Sequence, residues 1–170
     1  MRVFIGFKIE PDSEILSFLK DLNIAGIKPV EPQNLHICLK FLGEIDEKKL
    51  QEVFTVLETL KGFGTVHVSL DGFDAFPNKN FIRVLYISVK SPSLIALEKL
   101  LSEELHRLGF SKESYVPHLT LARIKRKIDL SAFFSKQYKR ELDFQYFSVF
   151  ESKLSPKGPQ YTELKRFSLI

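Results

Sequence analysis

The chain carries a single cysteine, Cys38, and no tryptophan. One thiol cannot form an intrachain disulfide, so packing and hydrogen bonds must hold the fold, and the composition suits a reducing, cytoplasmic setting. Long apolar runs are also missing, and none approaches the roughly 18 residues that a membrane-crossing helix needs. The opening Met1-Arg2-Val3-Phe4-Ile5-Gly6-Phe7 is too short for a signal-peptide core and is soon followed by Lys8, Glu10 and Asp12. Neither a Pro/Gly/Ser-rich linker nor a low-complexity tract divides the 170 residues, so residues 1–170 are expected to form one domain, or two small lobes sharing one core. The Gly-x-x-x-x-Gly-Lys loop that cradles nucleoside triphosphates is absent, and no cofactor is expected.

What is present reads as an ordinary globular chain, with 44% hydrophobic and 27% charged residues. Its sixteen phenylalanines are core filling and carry no functional signal by count. The net charge of +4 favours an anionic partner only mildly. More local is Arg123-Ile124-Lys125-Arg126-Lys127, with four cations in five positions. On charge alone this run is either a solvated strand end or a phosphate-facing patch.

Periodicity predicts strands over 2–9, 35–42, 65–70, 81–89, 118–124, 142–150 and 161–169. A helix starts at Pro11-Asp12-Ser13-Glu14 and buries Ile15, Leu16, Phe18, Leu19 and Leu22. Asp46 caps a second, with Leu50, Val53, Phe54, Leu57 and Leu60 along one face and Gly62 and Gly64 beyond its end. Ser91-Pro92 opens the longest, whose stripe is Leu94, Leu97, Leu100, Leu101, Leu105 and Leu108. A short helix falls near 129–137, a turn at Pro77-Asn78-Lys79-Asn80, and Gly158-Pro159 in the loop before the last strand. Strands outnumber helices and do not alternate regularly with them, which argues for an α+β fold.

Two of these strands echo each other. His36-Ile37-Cys38-Leu39 and His118-Leu119-Thr120-Leu121 both read His-x-small-Leu, each with a helix upstream. Alternation puts His36, Cys38 and Lys40 on one face, and His118, Thr120 and Ala122 on one face of the second copy. Each imidazole thus sits beside a small hydrogen-bond donor. If the strands face each other, two histidines and two donors converge, which suits in-line attack on a phosphodiester. One histidine takes a proton from water while the other protonates the leaving oxygen, and neither step requires a metal. A lone strand histidine is more often structural, and His67 and His106, outside this pattern, are read that way. A zinc site on His36 and Cys38 is a third reading, weakened by narrow spacing and by Thr120 at the matching position.

At these residues the sequence resembles the 2H phosphoesterase superfamily, and within it the LigT-like RNA 2′,3′-cyclic phosphodiesterases, also described as 2′-5′ RNA ligases. The likeness runs through Arg2–Phe7, Asn34–Gly43, Gly72–Pro77, Pro117–Arg123 and Glu151–Tyr161, in that order. It implies a bilobal α+β fold in which two antiparallel sheets form a V-shaped central cleft with helices packed outside. It also implies hydrolysis of a terminal 2′,3′-cyclic phosphate, on RNA or a cyclic nucleotide, to a 2′-phosphate. His118 would be the proton acceptor and His36 the proton donor. Thr120 and Cys38 would hold phosphate oxygens, Arg123 would stabilise the charge, and Phe41 would stack on the terminal base. No metal, membrane or partner chain is implied, and a monomer is expected. Ligation in the reverse sense uses the same groups, and a non-hydrolytic RNA- or nucleotide-binding module on the same fold is the rival of a different class.

Strict alternation places Phe41 and Arg123 on the face opposite their histidines, so a β-bulge, or a twist at the strand end, is needed to bring them into the cleft. The chain departs from the family pattern at Cys38, where a threonine is usual. A thiol is a weaker donor than a hydroxyl. Cys38→Thr is therefore expected to keep or raise turnover in a steady-state assay, and a large loss of rate would overturn that assignment.

Overall fold

The computed structural model describes all 170 residues. The chain runs β1 (Arg2–Lys8), α1 (Ser13–Asp21), β2 (Ile27–Pro29), a 3₁₀ turn (Pro32–Asn34), β3 (His36–Glu44), α2 (Glu47–Glu58), β4 (Val66–Asn78) and β5 (Phe81–Lys90). It continues through α3 (Pro92–His106), β6 (His118–Ile124), α4 (Ser131–Phe134), β7 (Lys139–Phe144), β8 (Tyr146–Ser155) and β9 (Gly158–Ser168). No helix is long and apolar enough to cross a membrane.

The three longer helices begin where a side chain satisfies a free backbone donor. Asp12 accepts from the Ile15 amide at 2.8 Å, Asp46 from Lys49 at 2.8 Å, and Ser91 from Leu94 at 3.0 Å. Each then buries an apolar stripe: Ile15, Phe18 and Leu19; Leu50, Val53 and Leu57; Leu94, Leu97, Leu101 and Leu105. Leu16 and Leu100, expected in the stripes, are exposed at their margins. One core draws on strands and helices alike, from Ile5 and Val149 to Leu70 and Ile87.

Backbone pairing follows the order β7-β4-β5-β6-β3-β1-β8-β9, with β2 also on β6, and every pairing is antiparallel. Between β6 and β3 the ladder narrows to one pair, Ile37 with Leu119. The two antiparallel sheets expected from the resemblance are the halves β7-β4-β5-β6 and β3-β1-β8-β9, hydrogen-bonded at that one place.

Several element boundaries differ from the sequence reading. β2 was not anticipated, being a three-residue strand defined only by its pairing with β6. β4 runs on through Pro77, leaving Lys79-Asn80 as the turn, and the strand expected over 142–150 is two, interrupted at Gln145. Gly158-Pro159 opens β9 instead of preceding it; β9 is an edge strand, where proline's missing amide is tolerated.

Of the two ways the alternation argument left open, a bulge is present in both halves. Gly6 and Ile5 of β1 pair with Cys38 and Lys40, so β3 spends two residues against one. Tyr86 and Leu85 of β5 likewise pair with Thr120 and Ala122. The burial phase shifts identically: Lys40 and Ala122 turn inward, while Phe41 and Arg123 become exposed. Lys40 therefore leaves the face of His36, correcting the strict alternation, and Phe41 and Arg123 join the histidine faces.

β1 approaches β3 closely at this point. A Cβ on Gly6 would lie 2.6 Å from the Ile37 carbonyl oxygen, which is backbone and cannot swing aside. Gly6→Ala is expected to destabilise the fold by about 1–3 kcal/mol, as overpacking does. The urea midpoint measures this, and an unchanged midpoint would refute the close approach.

Candidate active site

His36 and His118 are the first residues of β3 and β6, and the two rings are held in the same way. The Nδ1 of His36 donates to the Asn34 carbonyl at 2.7 Å, and that of His118 to the Val116 carbonyl at 2.8 Å. A carbonyl can only accept, so each neutral ring carries its proton on Nδ1 and leaves the Nε2 lone pair free. Asn34 is itself fixed, its side-chain amide donating to the Pro159 carbonyl at 2.8 Å. The start of β9 thereby braces the residue that orients His36.

Aromatic rings wall both imidazoles. Phe4 and Tyr161 lie 4.8 and 5.2 Å from the His36 ring, and Phe76 and Tyr86 lie 4.9 and 5.3 Å from His118. The Ile37–Leu119 pair sets the relation across the junction. Running antiparallel from it, the strands carry His36 toward Thr120 and Cys38 toward His118. A cavity of about 340 Å³ holds Cys38, Phe41, Phe76, Tyr115 and His118 together. His36 lines a separate, smaller recess of about 110 Å³ with Phe4, Asn34 and Tyr161. The two histidines are nonetheless within electrostatic reach, since charge on His118 disfavours charge on His36.

Burial is the main influence on His36 and holds its pKa below the ordinary value; the Asn34 carbonyl opposes this and His118 adds to it. Burial also pushes the Cys38 thiol up to about 12, against the backbone hydrogen bond and charge of Lys40. At neutral pH Cys38 is thus a protonated thiol, able to donate but poorly suited to bind zinc, which takes a thiolate. No group of three or more His, Cys, Asp or Glu side chains gathers to hold a metal ion.

Thr120 is half-buried on the face of His118, and Arg123 is exposed at the far end of the same strand. Neither lines the two recesses. The Arg123 charge does reach the Tyr161 hydroxyl, which burial raises while Arg123 and Arg2 lower it. Phe41 is half exposed, and the Arg2 guanidinium lies 5.0 Å from its ring centre. Lys40 points inward, its ammonium donating to the Ser111 carbonyl, while Tyr115 donates to the Cys38 carbonyl at 2.7 Å. Both bonds tie the segment entering His118 to the strand of His36.

The sequence reading assigned no role to Arg2, Phe4, Phe76, Tyr86, Tyr115 or Tyr161. The first three and Tyr161 fall in segments that carry the resemblance, which was the available signal. His67 and His106 lie elsewhere. His67 sits between Asp143 at 2.6 Å and Glu141 at 2.8 Å, and His106 contacts the Phe110 carbonyl at 3.0 Å.

Comparison with known proteins now decides the family. Residues 9–86 match the family described as "LigT like Phosphoesterase". A Methanocaldococcus jannaschii protein named RNA 2′,3′-cyclic phosphodiesterase is 37% identical over 98% of this chain and 100% of its own. One of the same name from Archaeoglobus fulgidus is 36% identical over 98% and 99%. The chain belongs to the LigT-like phosphoesterases. The fold agrees: the crystal structure of TT0787 of Thermus thermophilus superposes with a TM-score of 0.89 at 27% identity, covering 99% of this chain and 98% of that one. Escherichia coli LigT complexed with 3′-AMP superposes at 0.81 with 22% identity, over 99% and 97%.

In this LigT-like phosphoesterase the raised thiol has a direct chemical consequence. Alkylation of Cys38 by iodoacetamide at pH 8, followed by mass spectrometry, is expected to be slower in the native protein than in the unfolded chain by about 100-fold or more, because only the thiolate reacts. Equal rates would refute the buried, protonated thiol.

Proposed function

We propose that this chain is a cytoplasmic, monomeric RNA 2′,3′-cyclic phosphodiesterase in which His36 and His118 divide the proton transfers. The observation that carries the reading is the matched pair of imidazoles, each anchored through Nδ1 to the carbonyl two residues earlier, each with Nε2 free. The archaeal relatives that bear this activity in their names match along the whole chain and support the substrate class.

Water attacks phosphorus in line with the bond to O3′. His118 Nε2 takes the water proton as the new P–O bond forms, and His36 supplies a proton to O3′ as the old bond breaks. One water is consumed and a 2′-phosphate remains. Thr120 and Cys38 donate to the non-bridging oxygens, where loss of one donor typically costs about 3–4 kcal/mol in the transition state. Arg123 offsets the accumulating negative charge, and Phe41, held by Arg2, offers its ring to the terminal base.

Burial leaves His36 neutral in the free enzyme at pH 7. An anionic phosphate between the rings favours the imidazolium and restores the proton that the leaving oxygen needs. Substrate is thus part of the acid's preparation. The ionisation of His36 forms one limb of the profile, and phosphate moves that limb to higher pH. The bell-shaped dependence of kcat is therefore expected to peak at higher pH than that of kcat/KM, which reports the free enzyme. Coincident maxima, or a flat profile between about pH 5 and 9, would count against the paired histidines.

The direct test uses an RNA ending in a 2′,3′-cyclic phosphate, with EDTA present. Turnover to a 2′-phosphate is expected, and His36→Ala and His118→Ala should each lose about 10²–10⁴-fold in kcat while remaining folded. Binding without turnover by the parent protein would instead favour a non-hydrolytic module.

A further inference from the structure

A cavity of about 600 Å³ lies outside the site just described, where the β4–β5 turn, the end of β6 and α4 meet. Five cations border it, Lys79, Arg83, Lys125, Arg126 and Lys127, against one carboxylate, Asp129. Asp129 is already engaged, accepting from the Ser131 amide at 2.9 Å. Twelve ion pairs occupy cations elsewhere on the protein, and none includes any of these five. Five like charges crowded around a concavity with a single counter-charge repel one another, and an anionic ligand relieves that repulsion.

The same cavity presents aromatic surface. Phe81 is 55% exposed and carries the Arg83 guanidinium 4.8 Å above its ring. Lys79 lies 5.0 Å from the centre of the Phe134 ring. Cations that follow a phosphate backbone, alternating with rings on which bases stack, are the features that hold single-stranded nucleic acid without reading its sequence.

Its position relative to His118 selects the ligand. Arg123 pairs with Val84, next to Arg83, so the cavity begins where the catalytic strand ends. From His118 to Lys125 the chain advances about 3.3 Å per residue, placing the cavity about 20 Å from the proposed phosphate position. A mononucleotide seated at His118 cannot span that distance, whereas an oligonucleotide several residues long can. We infer that this basic, aromatic cavity is a second subsite that binds single-stranded RNA on the 5′ side of the terminal cyclic phosphate, giving the enzyme a preference for RNA ends over cyclic mononucleotides. The inference rests on the phosphodiesterase reading for the location of the RNA end.

The test compares a 2′,3′-cyclic mononucleotide with a single-stranded oligomer of about ten nucleotides bearing the same terminus. The enzymes are the parent protein, Phe81→Ala and the double variant Lys79→Gln/Arg83→Gln, with thermal melting to verify folding. For the oligomer, kcat/KM is expected to fall about 10-fold in each variant, while mononucleotide turnover stays within about 2-fold. In the double variant the slope of log(kcat/KM) against log[salt] for the oligomer should become shallower by about 1.4, since each phosphate contact on a single strand contributes about 0.7. Equal losses on both substrates, or none on the oligomer, would overturn the subsite. Should the parent protein turn over neither substrate, fluorescence anisotropy with a labelled oligomer ending in a plain 3′-hydroxyl still decides the matter. Weaker binding by both variants supports the subsite, and unchanged binding refutes it. Loss of affinity for phosphatidylserine vesicles with RNA affinity unchanged would assign the cavity to a lipid surface and overturn the proposal.

Discussion

β3 and β6 touch through one residue pair, Ile37 with Leu119, and the site takes its geometry from that junction. Both side chains are fully buried, so the contact is anchored in the common core. A full ladder here would set the side chains of neighbouring positions about 5 Å apart across the strands and fill the space between them. Ending the ladder after one pair separates the strands on either side and leaves room for a ligand. The antiparallel sense of the pair carries each histidine toward the donor of the other strand instead of toward its own counterpart. The proposed mechanism needs a proton acceptor and a proton donor on opposite sides of one atom, and a junction with approximate two-fold symmetry between repeated strands suits that arrangement.

The repetition extends beyond the histidines. Both strands bulge immediately after the small donor, both rings donate to the carbonyl two positions earlier, and both are walled by a pair of aromatic side chains. The differences between the copies are what a directional reaction uses. Cys38 faces Thr120 in role, Phe41 stands where the second copy has Arg123, and His36 is shifted by burial. One half thus offers apolar and aromatic surface, the other charge and a hydroxyl. In the proposed mechanism that asymmetry would orient a base and a charged phosphate between the two halves.

The helices and the paired histidines were legible in the sequence because their signals are local. Asp12, Asp46 and Ser91 cap their own helices, and His36 and Cys38 share a face by alternation alone. The bulges could be offered as one alternative but not located, since a bulge is a property of two strands and appears only when β1 is set against β3 and β5 against β6. The same reason hid the turning of Lys40 into the interior, the three-residue β2, and the interruption at Gln145. Pro77 and Pro159 looked like turn residues until their strands were placed, one continuing past a bulge and the other lying at an edge. Tyr161 and Phe4 come from opposite ends of the chain, and nothing in either segment announces a histidine between them.

The choice of acceptor behind each ring also follows from the reaction. His67 shows what carboxylates do in this protein: Asp143 and Glu141 hold its pKa above the ordinary value. A ring so held keeps its proton and is a poor base. The Asn34 and Val116 carbonyls orient His36 and His118 and fix the tautomer without a formal charge, so the proton on Nε2 remains free to come and go. A carboxylate behind either ring would also add negative charge to a site that must receive an anion. In the proposed mechanism, with neutral acceptors on both sides, the phosphate itself would be the charge that the imidazoles respond to.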